Sequence, residues 1–160
     1  MTSAAGIPVG PIAFVWVAGL RPELDDDGRP AEFTPYGHDR SARRLHASGA
    51  GPFCQIRLSG IANIAGVYLI TVGRRPTYVG MTVDLAERFG PRRYGTIYAR
   101  SCYPGGQSTN CHVNSELLVA AKEGRLADLW FLPVREANRR ARIEQATVGY
   151  LQPTWNRIRY

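Results

Sequence analysis

Residues 66–72 (Gly-Val-Tyr-Leu-Ile-Thr-Val) and residues 77–81 (Thr-Tyr-Val-Gly-Met) decide the fold of this chain. Both runs are rich in β-branched and aromatic residues, and Gly73-Arg74-Arg75-Pro76 between them has the composition of a tight turn. The pattern predicts two antiparallel strands joined as a β-hairpin. It puts one tyrosine, Tyr68, near the start of the first strand and another, Tyr78, near the start of the second.

A later helix carries the most unusual acidic residue of the sequence. From Ala137 to Leu151, residues at helical spacing form an apolar stripe in which Glu144 is the only acid. A carboxylate among apolar neighbours costs several kcal/mol unless a cation or hydrogen bonds compensate. The expected partner is a metal ion or Arg88, which lies in a short helix predicted at 82–89; a structural Glu–Arg ion pair is the alternative.

These features occur in the order typical of the GIY-YIG nuclease family, which the chain resembles from about Ile64 to Arg157. The matching residues are Gly66-Val67-Tyr68, Tyr78-Val79-Gly80, Arg88, Glu144 and Asn156. The resemblance implies an α+β fold, in which a small, mainly antiparallel three-stranded sheet is flanked by helices and takes its third strand from 129–134. We expect residues 64–160 to form this module. Residues 1–63 would form an N-terminal extension packed on it, with strands at 13–20 and 53–58 that extend the sheet.

The resemblance also implies a chemistry, the hydrolysis of DNA phosphodiester bonds by an endonuclease. Glu144 would be the single protein ligand of one hydrated Mg²⁺ ion, with Mn²⁺ as a substitute. Arg88 would hold the scissile phosphate. Tyr68, with Tyr78 nearby, would orient or deprotonate the attacking water, and Asn156 completes the set of matched catalytic residues.

A tyrosine base has a reference pKa of about 10, so it needs cationic neighbours that favour the phenolate. Many members of the family carry a lysine directly after the second tripeptide, where this chain has Met81. Arg92 and His112 are therefore the candidates to assist the base.

The charge of the chain favours a nucleic-acid partner. The net charge is +7, residues 33–160 alone carry +10, and Lys122 is the only lysine among the 20 basic residues. The planar guanidinium of arginine suits phosphate oxygens and base edges, although a high arginine content can also reflect genome composition. The candidates for contact with DNA are Arg40, Arg43, Arg44, Arg92, Arg93 and Asn114.

The function we expect is that of a free-standing restriction or defence endonuclease, because 160 residues leave little room for a second DNA-binding domain. The alternatives are a non-catalytic DNA-binding module of the same fold and a repair or mobile-element nuclease. The sequence leaves monomer and homodimer open. It has no apolar stretch long enough to cross a bilayer, and its three cysteines do not suggest a disulfide framework, so we expect a cytoplasmic protein. A zinc site at Cys102 and Cys111-His112 is a minor alternative.

The resemblance makes one demand on the hairpin, since both phenols have to serve one pocket. A regular four-residue turn would set Tyr68 opposite Met81 and Tyr78 opposite Thr71, which puts the two side chains on opposite faces. We therefore predict an irregular hairpin that is shifted by one residue, with Tyr68 opposite Gly80 and Tyr78 opposite Ile70, and with both hydroxyls facing Arg88 and Glu144.

Overall fold

The computed structural model describes residues 6–35 and 44–157. Within these ranges the chain divides into two compact units that interleave along the sequence. The first unit comprises residues 6–20, 60–86 and 126–157, and the second comprises residues 21–35, 44–59 and 87–125. No helix in the described ranges is both long enough and apolar enough to cross a membrane.

The regular elements follow one another from an N-terminal hairpin to a C-terminal helix. They are strands β1 (Gly6–Val9), β2 (Ile12–Leu20), β3 (Gly66–Val72) and β4 (Arg75–Thr82), helices α1 (Leu85–Arg88) and α2 (Ser108–Lys122), strand β5 (Ala127–Pro133) and helix α3 (Ala137–Leu151). A single 3₁₀ turn, Ala99–Cys102, precedes α2 in this part of the chain.

The first unit is built on a five-stranded antiparallel sheet with the strand order β1-β2-β5-β3-β4. Strand β3 pairs with both β4 and β5 and is buried along its whole length. Strand β5 pairs on its other side with β2, where Val15 lies opposite Phe131. The predicted fold, a three-stranded sheet with added N-terminal strands at 13–20 and 53–58, is therefore wrong, because all five strands form one continuous sheet and only the first of those two segments belongs to it.

Two local features explain this difference. Strand β1 contains Pro8 and is followed by Gly10-Pro11, a composition that argues against a strand, yet an edge strand tolerates proline because one side of it needs no donors. Residues 53–58 alternate as a strand would, but the partners of their backbone belong to other segments. Phe53 O accepts from Phe33 N, Ile56 N donates to Gly95 O, and Cys54 N donates to Asn114 Oδ1.

Helix α3 covers one face of the β3–β4 hairpin. The helix begins where the Glu136 carboxylate accepts hydrogen bonds from the backbone N–H groups of Asn138 and Arg139, a capping arrangement that satisfies donors which a helix start otherwise leaves unpaired. On its sheet side, Val148 packs in a buried apolar cluster that draws on β1, β2, β3 and β4. The other members of this cluster are Val9, Phe14, Val67, Leu69 and Val79.

The second unit has a core of its own beside α2. Phe53, Ile97, Cys102 and Cys111 form its buried cluster. Asn114 of α2, with no exposed surface, ties the irregular segments together: its amide donates to Cys54 O and Tyr94 O and accepts from Cys54 N. A fully satisfied buried amide is thus the link between a helix and two loops.

Candidate active site

The hairpin of the first unit has the predicted irregular register. Tyr68 lies opposite Gly80 and Tyr78 lies opposite Ile70, with a shift in the ladder between Ile70 and Thr71. The extra residue sits next to the turn, where Thr77 Oγ1 donates to Ile70 O and so satisfies a carbonyl at the irregular step. This part of the register prediction is confirmed.

The shift brings the two phenol rings together on one face of the hairpin. The ring centroids of Tyr68 and Tyr78 are 6.1 Å apart, and their planes are inclined by 33°. Tyr68 is almost completely buried, whereas Tyr78 is half-buried. The Tyr68 ring lies directly over Gly80, where a Cβ atom would come within 2.5 Å of Cζ, so only glycine leaves room for this ring.

Asn156 is held against the strand that carries Tyr78. Its Oδ1 accepts from Val79 N at 2.9 Å, and its Nδ2 donates to Val79 O at 2.8 Å. The neighbouring Trp155 N donates to Thr77 O at 2.8 Å. The amide of Asn156 therefore pairs with the N–H and the C=O of one residue of β4, as a neighbouring strand would, and its contribution to the site is to position the segment between Tyr78 and Gly80.

Glu144 lies on α3 one turn before Val148, so it belongs to the side of the helix that meets the sheet. Its carboxylate is half-buried, and this desolvation raises its pKa above the usual value. Across residues 6–35 and 44–157, no cation or hydrogen-bond donor contacts Glu144. Arg140, one turn earlier, donates instead to the carbonyl oxygens of Val134 and Arg135, so a structural ion pair does not account for Glu144.

The faces of the hairpin separate the phenols from the apolar stripe of α3. Val67, Leu69 and Val79, which pack with Val148, alternate along their strands with Tyr68 and Tyr78 and so lie on the opposite face. The approach of the two hydroxyls to Glu144 therefore stays a prediction.

Arg88 belongs to the second unit, and one of its hydrogen-bond donors has no partner in the described part of the chain. Its guanidinium carbon lies 5.7 Å from the centroid of the Tyr94 ring. Its Nε is buried, and no acceptor for its hydrogen is found in the described part of the chain. An unpaired buried donor on a cation is costly, and an anion such as a phosphate oxygen would satisfy it.

The other predicted site residues lie in different environments. Arg44 and Arg92 are exposed, Arg93 forms an ion pair with Glu87 at 2.7 Å, and His112 Nδ1 lies 4.0 Å from Glu116 Oε1 on the same helix. Arg40 and Arg43 lie outside the described residues. Asn114 is buried and its amide is used by backbone groups, so its contact with DNA stays a prediction without support from this geometry. A residue that the sequence analysis missed is Tyr98, an exposed ring 5.0 Å below the Arg92 guanidinium.

The cysteines give the zinc alternative little support. Cys111 Sγ lies 3.9 Å from Cys102 Sγ, and the hydrogen bond between them lowers the pKa of Cys102. No group of three or more His, Cys, Asp or Glu side chains suited to a metal occurs in the two described ranges.

Comparison of the chain with family models, with curated proteins and with solved structures gives no match in any of the three.

Proposed function

We propose that this protein is a divalent-metal-dependent DNA endonuclease of the GIY-YIG type. The observation that carries the proposal is the one-residue shift in the β3–β4 hairpin, which sets Tyr68 over Gly80 and brings Tyr78 onto the same face. A regular hairpin would put these phenols on opposite faces. The two-tyrosine chemistry therefore requires the irregularity, whereas a hairpin with only a structural role does not require it.

The roles we propose are those that the resemblance implies, and the surroundings of each residue support them. Tyr68 is fixed by burial and by the close fit over Gly80, so its Oη is the better-positioned group to orient the attacking water and take its proton. Tyr78 is half-exposed and supports this water from the side. For Arg88, which lies in the second unit, we propose the role that the resemblance implies: its buried Nε–H, which has no acceptor in the described part of the chain, would bind an oxygen of a DNA phosphate.

Glu144 fits the metal that the resemblance implies. A half-buried carboxylate that no described residue pairs with a cation or donor would be stabilised by a bound cation, and a lone carboxylate matches an ion that keeps most of its waters. A divalent ion bound there would stabilise charge on the phosphate and on the leaving oxygen. We propose Mg²⁺, with Mn²⁺ as a substitute.

We also propose DNA as the substrate and restriction or defence in the cytoplasm as the role. The support for DNA is the excess of arginine and the net charge of +7. The assistant of the tyrosine base stays open between Arg92 and His112, and the oligomeric state stays open between monomer and homodimer.

The experiment is a cleavage assay of supercoiled and linear DNA with the purified protein in Mg²⁺, in Mn²⁺ and in EDTA, followed by mapping of the ends. We expect metal-dependent cleavage that falls by roughly 10² or more in Tyr68→Phe, Glu144→Gln and Arg88→Gln. Tyr150→Phe, Glu123→Gln and Arg74→Gln are the matched controls, since each changes an exposed side chain of the same type.

Binding separates the routes by which activity is lost. Glu144→Gln should bind DNA in EDTA as tightly as the wild type, because the change leaves the basic surface intact. Cleavage by Glu144→Gln at the wild-type rate would exclude the metal role. Binding by the wild type without cleavage of any DNA would favour the non-catalytic alternative.

A further inference from the structure

The second unit contains an open groove of about 520 Å³ that is rich in arginine. Its walls are formed by the segment after α1 and by the segment before α2, and they include Glu87, Arg92, Arg93, Tyr98, Arg100 and the Gly105-Gly106 pair. A neighbouring pocket of about 570 Å³ shares Arg100 and the two glycines and extends to Tyr103. We call the first of these pockets the arginine groove.

Arg92 and Tyr98 form a stacked pair in the arginine groove. The Arg92 guanidinium lies 5.0 Å from the centroid of the Tyr98 ring, and 47% of the Tyr98 surface is exposed. Arg92 holds this place with a left-handed backbone, at a φ of 64°, which costs energy in a residue other than glycine. The pair is a flat cationic and aromatic surface that is open to solvent.

The charge of the arginine groove is not neutralised from within. Glu87 is the only carboxylate that the described residues contribute to its walls, and it is paired with Arg93. Neither Arg92 nor Arg100 has a carboxylate partner in the described part of the chain, so the two guanidinium groups are available to an anionic ligand.

We propose that the arginine groove binds one unpaired nucleotide of DNA, with its base stacked on the Arg92–Tyr98 pair and its phosphate held by Arg100. The inference deepens the proposed function, because it takes DNA as the ligand. Bases stack on aromatic and guanidinium planes in a way that tolerates any sequence, and the groove has the size of a small-ligand site. The adjoining pocket beyond Arg100 gives the next nucleotide a continuous path.

The alternatives fit less well. The phosphates of an intact duplex would use the arginines but not the exposed ring, because paired bases present their edges rather than their faces. An acidic peptide would also use only the charges. A base that is extruded from a duplex and a base in a single strand share the chemistry that the groove recognises, so the test has to separate them.

The test is binding of fluorescent DNA to the full chain. It is carried out in EDTA so that metal-dependent cleavage does not take place. The probes are a single strand, a fully paired duplex and a duplex with one unpaired base, each with 2-aminopurine at the target position. We expect the fluorescence of the single strand and of the unpaired base to be quenched on binding, and affinity for both to exceed that for the paired duplex. Quenching in the single strand alone would assign the groove to single strands, and quenching in both would extend it to extruded bases.

Variants tie the signal to the groove. We expect Tyr98→Ala to abolish the quenching and to weaken binding roughly tenfold or more, whereas Tyr98→Phe keeps both. Tyr150→Ala is the matched control, since this ring is 71% exposed on α3 in the first unit. Arg100→Gln should weaken binding and reduce the log–log salt slope by about one, and Arg74→Gln serves as its control for the loss of one positive charge.

Two results would overturn the proposal. One is wild-type quenching and affinity in a folded Tyr98→Ala protein. The other is displacement of the oligonucleotide from the groove by a polyglutamate peptide at an equal charge concentration. Failure of the nuclease proposal looks different, since DNA would still bind through Tyr98 without being cut in Mg²⁺.

Discussion

Replacement of Gly80 by alanine tests the hairpin and the role of Tyr68 in one step. The new Cβ would lie 2.5 Å from Tyr68 Cζ, and ordinary contact begins at 3.4 Å, so the ring or the strand has to move by about 0.9 Å. Tyr68 is only 2% exposed, which leaves the ring no empty space to enter. Overpacking of this kind costs about 1–3 kcal/mol, and the lower chain entropy of unfolded alanine offsets less than about 1 kcal/mol of it.

The expected net loss is roughly 1–2 kcal/mol, which corresponds to a fall in Tm of roughly 2–8 °C for a chain of this length. Activity should suffer more than stability, because a displacement of about 1 Å at a reacting group costs on the order of 10² in rate. The assays are thermal unfolding by circular dichroism and cleavage in Mg²⁺ well below the Tm. Gly6→Ala is the control, since its Cβ would meet only Phe14 O, at 3.5 Å.

A double-mutant cycle shows whether the loss passes through Tyr68. In a Tyr68→Leu background the ring is gone, so Gly80→Ala should lower the Tm by much less than it does in the wild type. A Gly80→Ala protein with unchanged Tm and activity would refute the register that sets Tyr68 over Gly80. An equal fall in Tm with and without the ring would place the strain elsewhere.

Two further predictions concern Asn156 and Glu144. Asn156→Ala leaves the N–H and C=O of Val79 without their partners and should cost roughly 1–3 kcal/mol in urea unfolding, with Asn156→Asp intermediate because it keeps the acceptor alone; an unchanged unfolding free energy would contradict the pairing. Because burial raises the Glu144 pKa, the folded protein holds that proton to higher pH than the unfolded chain, and stability falls as pH rises from the unfolded pKa through the folded one. In thermal melts without divalent ions, Glu144→Gln should therefore be at least as stable as the wild type at neutral pH. The difference in Tm in favour of the variant should be larger at neutral pH than near pH 4. A structural ion pair at Glu144 would instead make the variant less stable than the wild type at neutral pH.

The hairpin could be predicted from the sequence because its determinants are local. The period-two pattern marks both strands, and the need to place two phenols on one face leaves a one-residue shift as the simplest solution. Gly80 is the residue that permits it, since the ring of Tyr68 occupies the space of its missing side chain. The positions of β5 and α3 are also close to those predicted, because each segment has apolar residues at the spacing of its element.

The five-stranded sheet could not be predicted because its pairings are not local. Val15 meets Phe131 across most of the chain, and nothing in either segment specifies the other. The segment 53–58 shows the converse. It has the alternation of a strand, but the partners that its backbone finds are a loop, a glycine carbonyl and the side chain of Asn114. Alternation reports which side of a segment is buried, not what pairs with its peptide groups.

The two asparagines of the predicted site show the same limit at the level of side chains. Asn114 and Asn156 were both expected to serve DNA or its cleavage, and both amides are instead used by backbone groups of distant segments. Glu144 differs, because its place in an apolar stripe is visible in the sequence. The sequence does not show that the carboxylate has no partner within the described ranges, and this is the observation that favours a cation there.

The pairing of Asn156 suggests why an amide occupies this position. Strand β4 carries Tyr78 and Gly80 and is an edge strand, so without a partner on its outer side the peptide of Val79 would face solvent and could shift. The segment after α3 closes that side through Trp155 and Asn156, and the Asn156 amide binds both the donor and the acceptor of Val79. Aspartate lacks the donor and leucine lacks both groups, so only an amide of this length keeps the pair. The helix that carries Glu144 therefore leads directly into the segment that holds the strand of Tyr78, and a single stretch of chain positions both residues.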